Sequence, residues 1–547
     1  MKSRTEALRE IATRTFDVCV IGAGATGAGC ALDAQLRGLE TALLDAGDFA
    51  SATSSASTKL AHGGVRYLQE AVTNLDLGHL KVVRHALRER TLMLRNAPHL
   101  VHPLEFVVPC FSRYELWYYG LGMKVYDWIA GKGKLADSRV LSPAEALLHI
   151  PSLKADHLLG AVAYQDGQFD DARYGITLVK TFANAGGEAA NYLRVGGFER
   201  GPDGNLVAAI AEDTLSPRQI HVRARVFVNA TGPFSDTVRS LANPRAFPRL
   251  VLSRGVHILL PLDEGINSGL VIPKTEDGRV MFAIPWLGRL LVGTTDQGTT
   301  LLDELVVSRA EAEYLLRHIN RVSARQRSIG EIVSGFAGIR PLVRLHHTKE
   351  TKKLIREHEV EVDKSSGLIS ILGGKWTTYR DMAEDTISVV QSKTGSSSRP
   401  GATSHHLLAG AEGYGLDYWK QLAREHPIDE SAARHLAQKF GTDAQAVLDI
   451  AKHRPERYAP ITAGAAPIQA EVLYCIRQEM AVSIEDILSR RLGLQQYDWK
   501  LAMQAAPVAA SHLASELGWS GPHKDDELRR YLTKIERFLV AIRAGNS

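Results

Sequence analysis

Cysteine is scarce in this chain of 547 residues: Cys19, Cys30, Cys110 and Cys475 lie far apart, with no CxxC pair and no zinc-type spacing. A disulfide scaffold is excluded, and Cys19 and Cys30, inside apolar segments, read as space-fillers suited to a reducing compartment. No run approaches the roughly 18 apolar residues that a spanning helix needs, which excludes a helical transmembrane protein. Charge of one sign is also lacking. The 65 Lys and Arg against 61 Asp and Glu leave a net +4, no argument for a nucleic-acid partner, although an anionic substrate or membrane surface suits a mildly basic protein. Met1 to Thr15 carries Glu6 and Glu10 and no apolar core, so it does not read as a secretory signal. The cytoplasmic face of a bacterial inner membrane, or the cytoplasm, is the simplest expectation. With 45% hydrophobic and 23% charged residues, the proportions are globular, and at about 150 residues per domain they suggest three to four domain-sized units.

Residues 17 to 21 (DVCVI) are a short β-branched run of the kind found in buried parallel strands. A helical stretch follows from about Ala28 to Arg37, then a second apolar run, Thr41 to Leu44, ending in Asp45. From Leu77 to Leu94, Leu80, Val83, Leu87 and Leu94 recur at helical spacing with Lys81, Arg84, Arg88 and Glu89 between them, which predicts an amphipathic surface helix. Further strands are predicted at 225–229, 256–260, 280–284 and 368–372. Thr394 to Ser404 reads as a polar linker, and residues beyond 410 as almost wholly helical.

Between the first strand and helix stand Gly22, Gly24 and Gly27, a G-x-G-x-x-G pattern with Ala25 and Thr26 inside it. The three glycines permit a tight turn, close approach of a diphosphate and close helix–strand packing, the diphosphate resting on free N–H groups at the helix start. Asp45 closes the second strand, where it would accept hydrogen bonds from an adenosine ribose, with Ala46 beside it. The pattern alone does not separate NAD from FAD. Asp48 to Arg66 is dense in small and hydroxyl residues (Thr53, Ser54, Ser57 and Thr58, then Lys59, Leu60, His62, Gly63 and Gly64), offering many donors to a long, permanently held dinucleotide. Ala230, Thr231 and Gly232, and again Gly374, Lys375, Trp376 and Thr377, place turns after two later strands. Three such turns far apart in sequence suggest one long cofactor crossed by several loops.

VIGAGATGAG, SSASTKLAHGGVRYLQ, YQDGQFDDARYGITLVKTFANAGGEAANY, NATGPFSD, FAGIRPLV and GGKWTTYRDMAED together resemble the FAD-dependent, respiratory glycerol-3-phosphate dehydrogenases, and AEVLYCIRQEMAVSIEDILSRRLGL resembles their helical C-terminal domain. The absence of a D-x-[DN]-x-[DN]-G calcium loop departs from the mitochondrial members and favours the bacterial type; no metal is expected. The resemblance implies an α/β fold. It consists of a glutathione-reductase-like, Rossmann-type FAD-binding domain (residues 14–75, 155–240 and 330–393), an interleaved α+β substrate domain (76–154 and 241–329), the 394–404 linker and a helical C-terminal domain (405–547). It further implies FAD, oxidation of glycerol 3-phosphate to dihydroxyacetone phosphate, a membrane quinone such as ubiquinone as acceptor, and a peripheral site on an anionic membrane surface. No Cys or His lies in an attachment pattern, so the FAD is expected to be non-covalent. A homodimer is left open.

A dianionic phosphate needs converging cations, and arginine forks fit phosphate oxygens well. The matching family positions line the substrate pocket and correspond here to Arg66, Tyr67, Arg340, Arg356 and Lys375. Removal of a proton and a hydride from the substrate calls for a base with a pKa near neutrality, and His257 and His62 are the two candidates; His62 alternatively holds the flavin. Arg340 or Lys375 then stabilises the developing alkoxide. Phe111 to Ile129 is crowded with aromatics, with Arg113 and Lys124 among them: either an interfacial membrane element or core packing beside the substrate domain. Arg490 and Arg491 read as solvated surface or structural ion pairs. Two alternatives stay open: an oxidase that passes electrons to oxygen and releases hydrogen peroxide, and a flavin-holding binding protein without turnover.

Overall fold

The computed structural model describes residues 1–64, 77–344, 358–395 and 399–544. Its first sheet has a parallel core in the order Ile369–Gly373, Arg218–Asn229, Thr15–Ile21, Thr41–Leu44, Glu188–Ala190. The central strand shows why the run reads as buried: Val18 and Val20 face one side and Cys19 and Ile21 the other, and none of them is exposed. Val18 and Val20 pack against helices Ala25–Leu36, Asp171–Asn184 and Tyr379–Thr394. Cys19 and Ile21 meet the N-terminal helix Arg4–Thr13 and the antiparallel hairpin Leu193–Arg200/Leu206–Asp213. That N-terminal helix was not expected; Ser3 and Glu6 form a capping box that starts it.

The second sheet is largely antiparallel and includes Val101–Cys110, Gly160–Phe169, Leu250–Pro261, Met281–Trp286 and Ser334–Val343. Strands 160–169 and 334–343, expected within flavin-domain segments, belong to this sheet, so we propose domain borders moved to place them in the substrate half. The long pairing of 250–259 with 334–343 puts His257 opposite Phe336 and Ser253 opposite Arg340. This sheet shares one apolar core with the C-terminal helices, including Trp499, Ile487 and Ile535.

The helix expected from Ala28 begins at Ala25, and the one expected at 77–94 spans Leu77–Asn96. Along the latter, Val83 and Leu87 are buried and Lys81 and Arg84 exposed, as its period demands, but Glu89 and Arg90 are buried too, paired with Arg380 and Asp166. The linker is not loose throughout: Thr403 is buried and a carbonyl of Arg399 accepts from Gln391. Beyond it the described residues form helices with no named strand.

Candidate active site

The fingerprint turn sits at the carboxyl end of the central strand, where open α/β sheets bind ligands. Gly22 has φ +98°, and a Cβ there would lie 2.7 Å from the Ala230 carbonyl oxygen. A Cβ on Gly27 would fall 1.7 Å from the Gly22 oxygen, so a side chain at either place closes the turn. The helix at Ala25 has no side-chain cap on Gly24, and Ser54 Oγ accepts from Ala25 N–H at 2.9 Å. A bare, glycine-lined helix start of this kind fits a dinucleotide diphosphate. Asp45 accepts from Ala23 N–H at 2.6 Å and Gly47 N–H at 2.9 Å. Burial pushes its carboxyl up to about 6 against the pull of those donors.

The hydroxyl-rich loop is tied down at nearly every residue. Thr53 donates to the Ile339 carbonyl, the Ser54 carbonyl accepts from Trp376 Nε1, and Ser57 N–H donates to Asp171. Thr58 Oγ1 lies 2.9 Å from His257 Nε2, Leu60 is core, and Gly63 N–H donates to the Tyr126 hydroxyl, itself bonded to Asp166. His62 N–H donates to Thr377 Oγ1, and Gly64 N–H donates to His62 Nδ1, so the His62 proton belongs on Nε2. Burial, with Lys375 nearby, lowers His62 to about 4. Thr231 donates to Asn229, fixing the Ala230–Gly232 turn, and Gly374 holds φ +91° before Lys375 and Trp376.

His257 is 2% exposed, stacks on Phe336 with centroids 4.9 Å apart, and its Nδ1 has no hydrogen-bond partner among the described residues. Its pKa falls well below the ordinary imidazole range, first through burial and then through Arg340 and Lys59. Arg340 donates to Thr294 Oγ1 at 2.9 Å and to the Thr295 carbonyl at 3.2 Å. Small residues make this possible: a Cβ on Gly255 would lie 2.1 Å from Arg340, and one on Gly293 2.1 Å from His257. The structure thus brings Thr58, His257 and Arg340 together, and His62 with Lys375 and Thr377. Arg66, Tyr67 and Arg356 lie outside the described residues.

Sequence reasoning passed over Asp171, Tyr126, Asp166, Trp286 and Phe336, which hold the loop from behind. Of these, Asp171 left a signal: two aspartates at a strand–helix junction, where Asp170 caps the helix. A separate cleft of about 1190 Å³, lined by Thr53, Ser55, Phe336 and the C-terminal helices, includes none of the fingerprint glycines. No group of three or more His, Cys, Asp or Glu residues is placed to hold a metal among the described residues.

Residues 17–380 match the family described as FAD dependent oxidoreductase, and residues 401–524 match the C-terminal domain of alpha-glycerophosphate oxidase. Among curated proteins, the mitochondrial glycerol-3-phosphate dehydrogenase of Rattus norvegicus is 39% identical over 528 residues, covering 94% of this chain and 72% of that protein. The Arabidopsis thaliana mitochondrial enzyme is 37% identical over 551 residues, covering 96% and 87%. The crystal structure of a glycerol-3-phosphate dehydrogenase from Bacillus halodurans, complexed with FAD, superposes with a TM-score of 0.80 at 28% identity, covering 100% of this chain and 99% of that one. The glycine cradle and these likenesses converge, and the chain belongs to the FAD-dependent glycerol-3-phosphate dehydrogenase family.

Proposed function

We propose that the chain oxidises sn-glycerol 3-phosphate to dihydroxyacetone phosphate and passes the electrons to a membrane quinone at the cytoplasmic face of a bacterial inner membrane. The observation that carries the catalytic part is His257: a buried imidazole of lowered pKa whose Nδ1 has no partner among the described residues, beside Arg340. Bound FAD supplies the acceptor for the hydride from substrate C2, at flavin N5. Gly22, Gly24, Ala25, Thr26 and Gly27 would hold its diphosphate, and Asp45 and Ala46 its ribose. The Thr53–Gly64 loop and the turns at Ala230–Gly232 and Gly374–Thr377 would border the rest.

In this reading His257 Nε2–H donates to Thr58 Oγ1, which leaves the Nδ1 lone pair to take the proton of the substrate C2 hydroxyl. Burial sets the His257 pKa below the near-neutral value expected of a base, so the ring is available unprotonated though weakly basic. The fixed Arg340 fork offsets the negative charge that develops on the substrate oxygen. Lys375 and Arg340, with Arg66, Tyr67 and Arg356, bind the phosphate. His62 takes no proton in this reading; its Nδ1 lone pair already accepts from Gly64 N–H, and its backbone N–H donates to Thr377, bonds that suit it to shaping the cofactor loop.

The membrane part rests on the helix Arg113–Ala130, whose only buried residues are Met123 and Tyr126. Tyr114, Trp117, Leu121 and Trp128 are exposed, Trp128 at 79%. Of the two expectations for this segment, core packing accounts for one edge and leaves an aromatic face for a lipid headgroup layer. No described helix is long and apolar enough to cross a membrane.

Anaerobic visible absorption tests the reading. Glycerol 3-phosphate, and not glycerol, bleaches the bound flavin, and His257→Ala slows bleaching by about 10²–10⁴-fold with flavin retained. Near-normal bleaching in that variant removes His257 as base. Stoichiometric hydrogen peroxide in air, without reduction of added quinone, replaces the quinone with oxygen as acceptor.

A further inference from the structure

Lys59 is the residue of the STKL run that the proposed chemistry leaves idle. Its side chain is fully buried, and its backbone holds φ +61°, a conformation L-residues seldom adopt. The ammonium is salt-bridged to Asp171 Oδ1, and Asp171 Oδ2 accepts from Ser57 N–H at 2.8 Å, so one carboxylate clamps the loop on both sides of Thr58. The same ammonium lies 4.7 Å from the Trp286 ring centroid and 4.9 Å from that of Phe336, the ring on which His257 stacks. Thr58, the residue next to Lys59, is the one whose hydroxyl meets His257 Nε2.

A buried cation needs a partner, and Asp171 is that partner. The ammonium's charge nevertheless acts on the imidazole, and both groups lie against the Phe336 ring. The groups facing His257 are Thr58 and Lys59 from the loop, Phe336 and Arg340 from strand 334–343, and Gly293 from strand 289–293; the two cations carry carboxylate partners, Asp171 on Lys59 and Asp296 3.4 Å from Arg340. Arg340 and Lys59 oppose protonation of the ring.

We propose that Lys59, clamped by Asp171, is a positioning residue that holds Thr58 in register with His257, an inference that rests on the reading of His257 as the base. The test uses flavin-loaded protein labelled with ¹³Cε1-histidine, with the His257 signal assigned by its loss in His257→Gln. The variant is Lys59→Met with Asp171→Asn, which removes both charges and leaves no buried carboxylate without a partner; Lys59→Gln is the second variant should the pair fail to fold. The expected result is that His257 gains its proton at a pH about one unit higher than in the unaltered protein. The acid limb of anaerobic flavin bleaching by glycerol 3-phosphate should move up by the same amount, and Lys59→Arg should leave that limb in place. An unchanged imidazole titration overturns the inference about Lys59. A shifted imidazole with an unmoved acid limb overturns instead the assignment of His257 as base.

Discussion

Two surfaces of this protein reverse the usual distribution of residue types. Where the C-terminal helices dock on the flavin domain, the contact is made by buried charge. Asp48 receives a fork from Arg491 and a single bond from Arg490 Nε, Arg173 bridges Glu479, and Lys439 reaches Asp170. Asp48 and Arg491 are wholly inaccessible to solvent. On the helix Arg113–Ala130 the opposite holds, and large aromatic and aliphatic side chains stand in solvent. Buried ion pairs gain little net stability over apolar packing, but each tolerates only one geometry, so they set the register of two domains. Exposed aromatics contribute nothing to folding, so a face of them has its use in what it meets. Residues Asp170 and Asp171 show the first kind at its most economical: one anchors Lys439 of the C-terminal domain, the other Lys59 of the active-site loop.

The comparison breaks first at Arg491. Arg491→Met strips Asp48 of its bidentate partner and leaves a buried carboxylate undercompensated, an effect of about 3–5 kcal/mol on stability. Urea unfolding measures it, and a midpoint unchanged from the parent removes the argument for charge-set register. A much smaller change follows at the exposed pair Arg477–Glu516, whose arginine side chain is 42% exposed: Arg477→Ala should shift stability by about 0–1 kcal/mol. The smallest stability effect belongs to the aromatic face. Trp117→Ser with Trp128→Ser should move unfolding by less than about 0.5 kcal/mol while abolishing sedimentation with anionic phospholipid vesicles. Vesicle binding that survives those changes assigns the face to another partner.

The glycine fingerprint and its acidic companion were legible in the chain because their constraints are local. Gly22 must take a positive φ and Gly27 must lie against the Gly22 oxygen, so the residue types announce the turn before any fold exists. The strand at 256–260 was legible too, from its β-branched and aliphatic run. Its partner at 334–343 was not placed in the right sheet, since GFAGIRPLV carries two glycines and a proline and its pairing is set across more than 70 residues of intervening chain. The N-terminal helix was hidden because its burial pattern rests on Ala7, Leu8 and Ile11 meeting a sheet edge assembled from distant strands.

By itself, then, the sequence determined a dinucleotide turn, a parallel strand beneath it and a helical C-terminal region, since each follows from steric demands within a few consecutive residues. Only the tertiary structure decided that Arg490 and Arg491 are interior and that Lys59 faces Asp171 rather than solvent. It also lowered the pKa of His257 by burial and, among the described residues, left its Nδ1 without a partner. Those outcomes depend on desolvation and on charges brought together from residues more than a hundred positions apart, and neither quantity exists until the chain has folded.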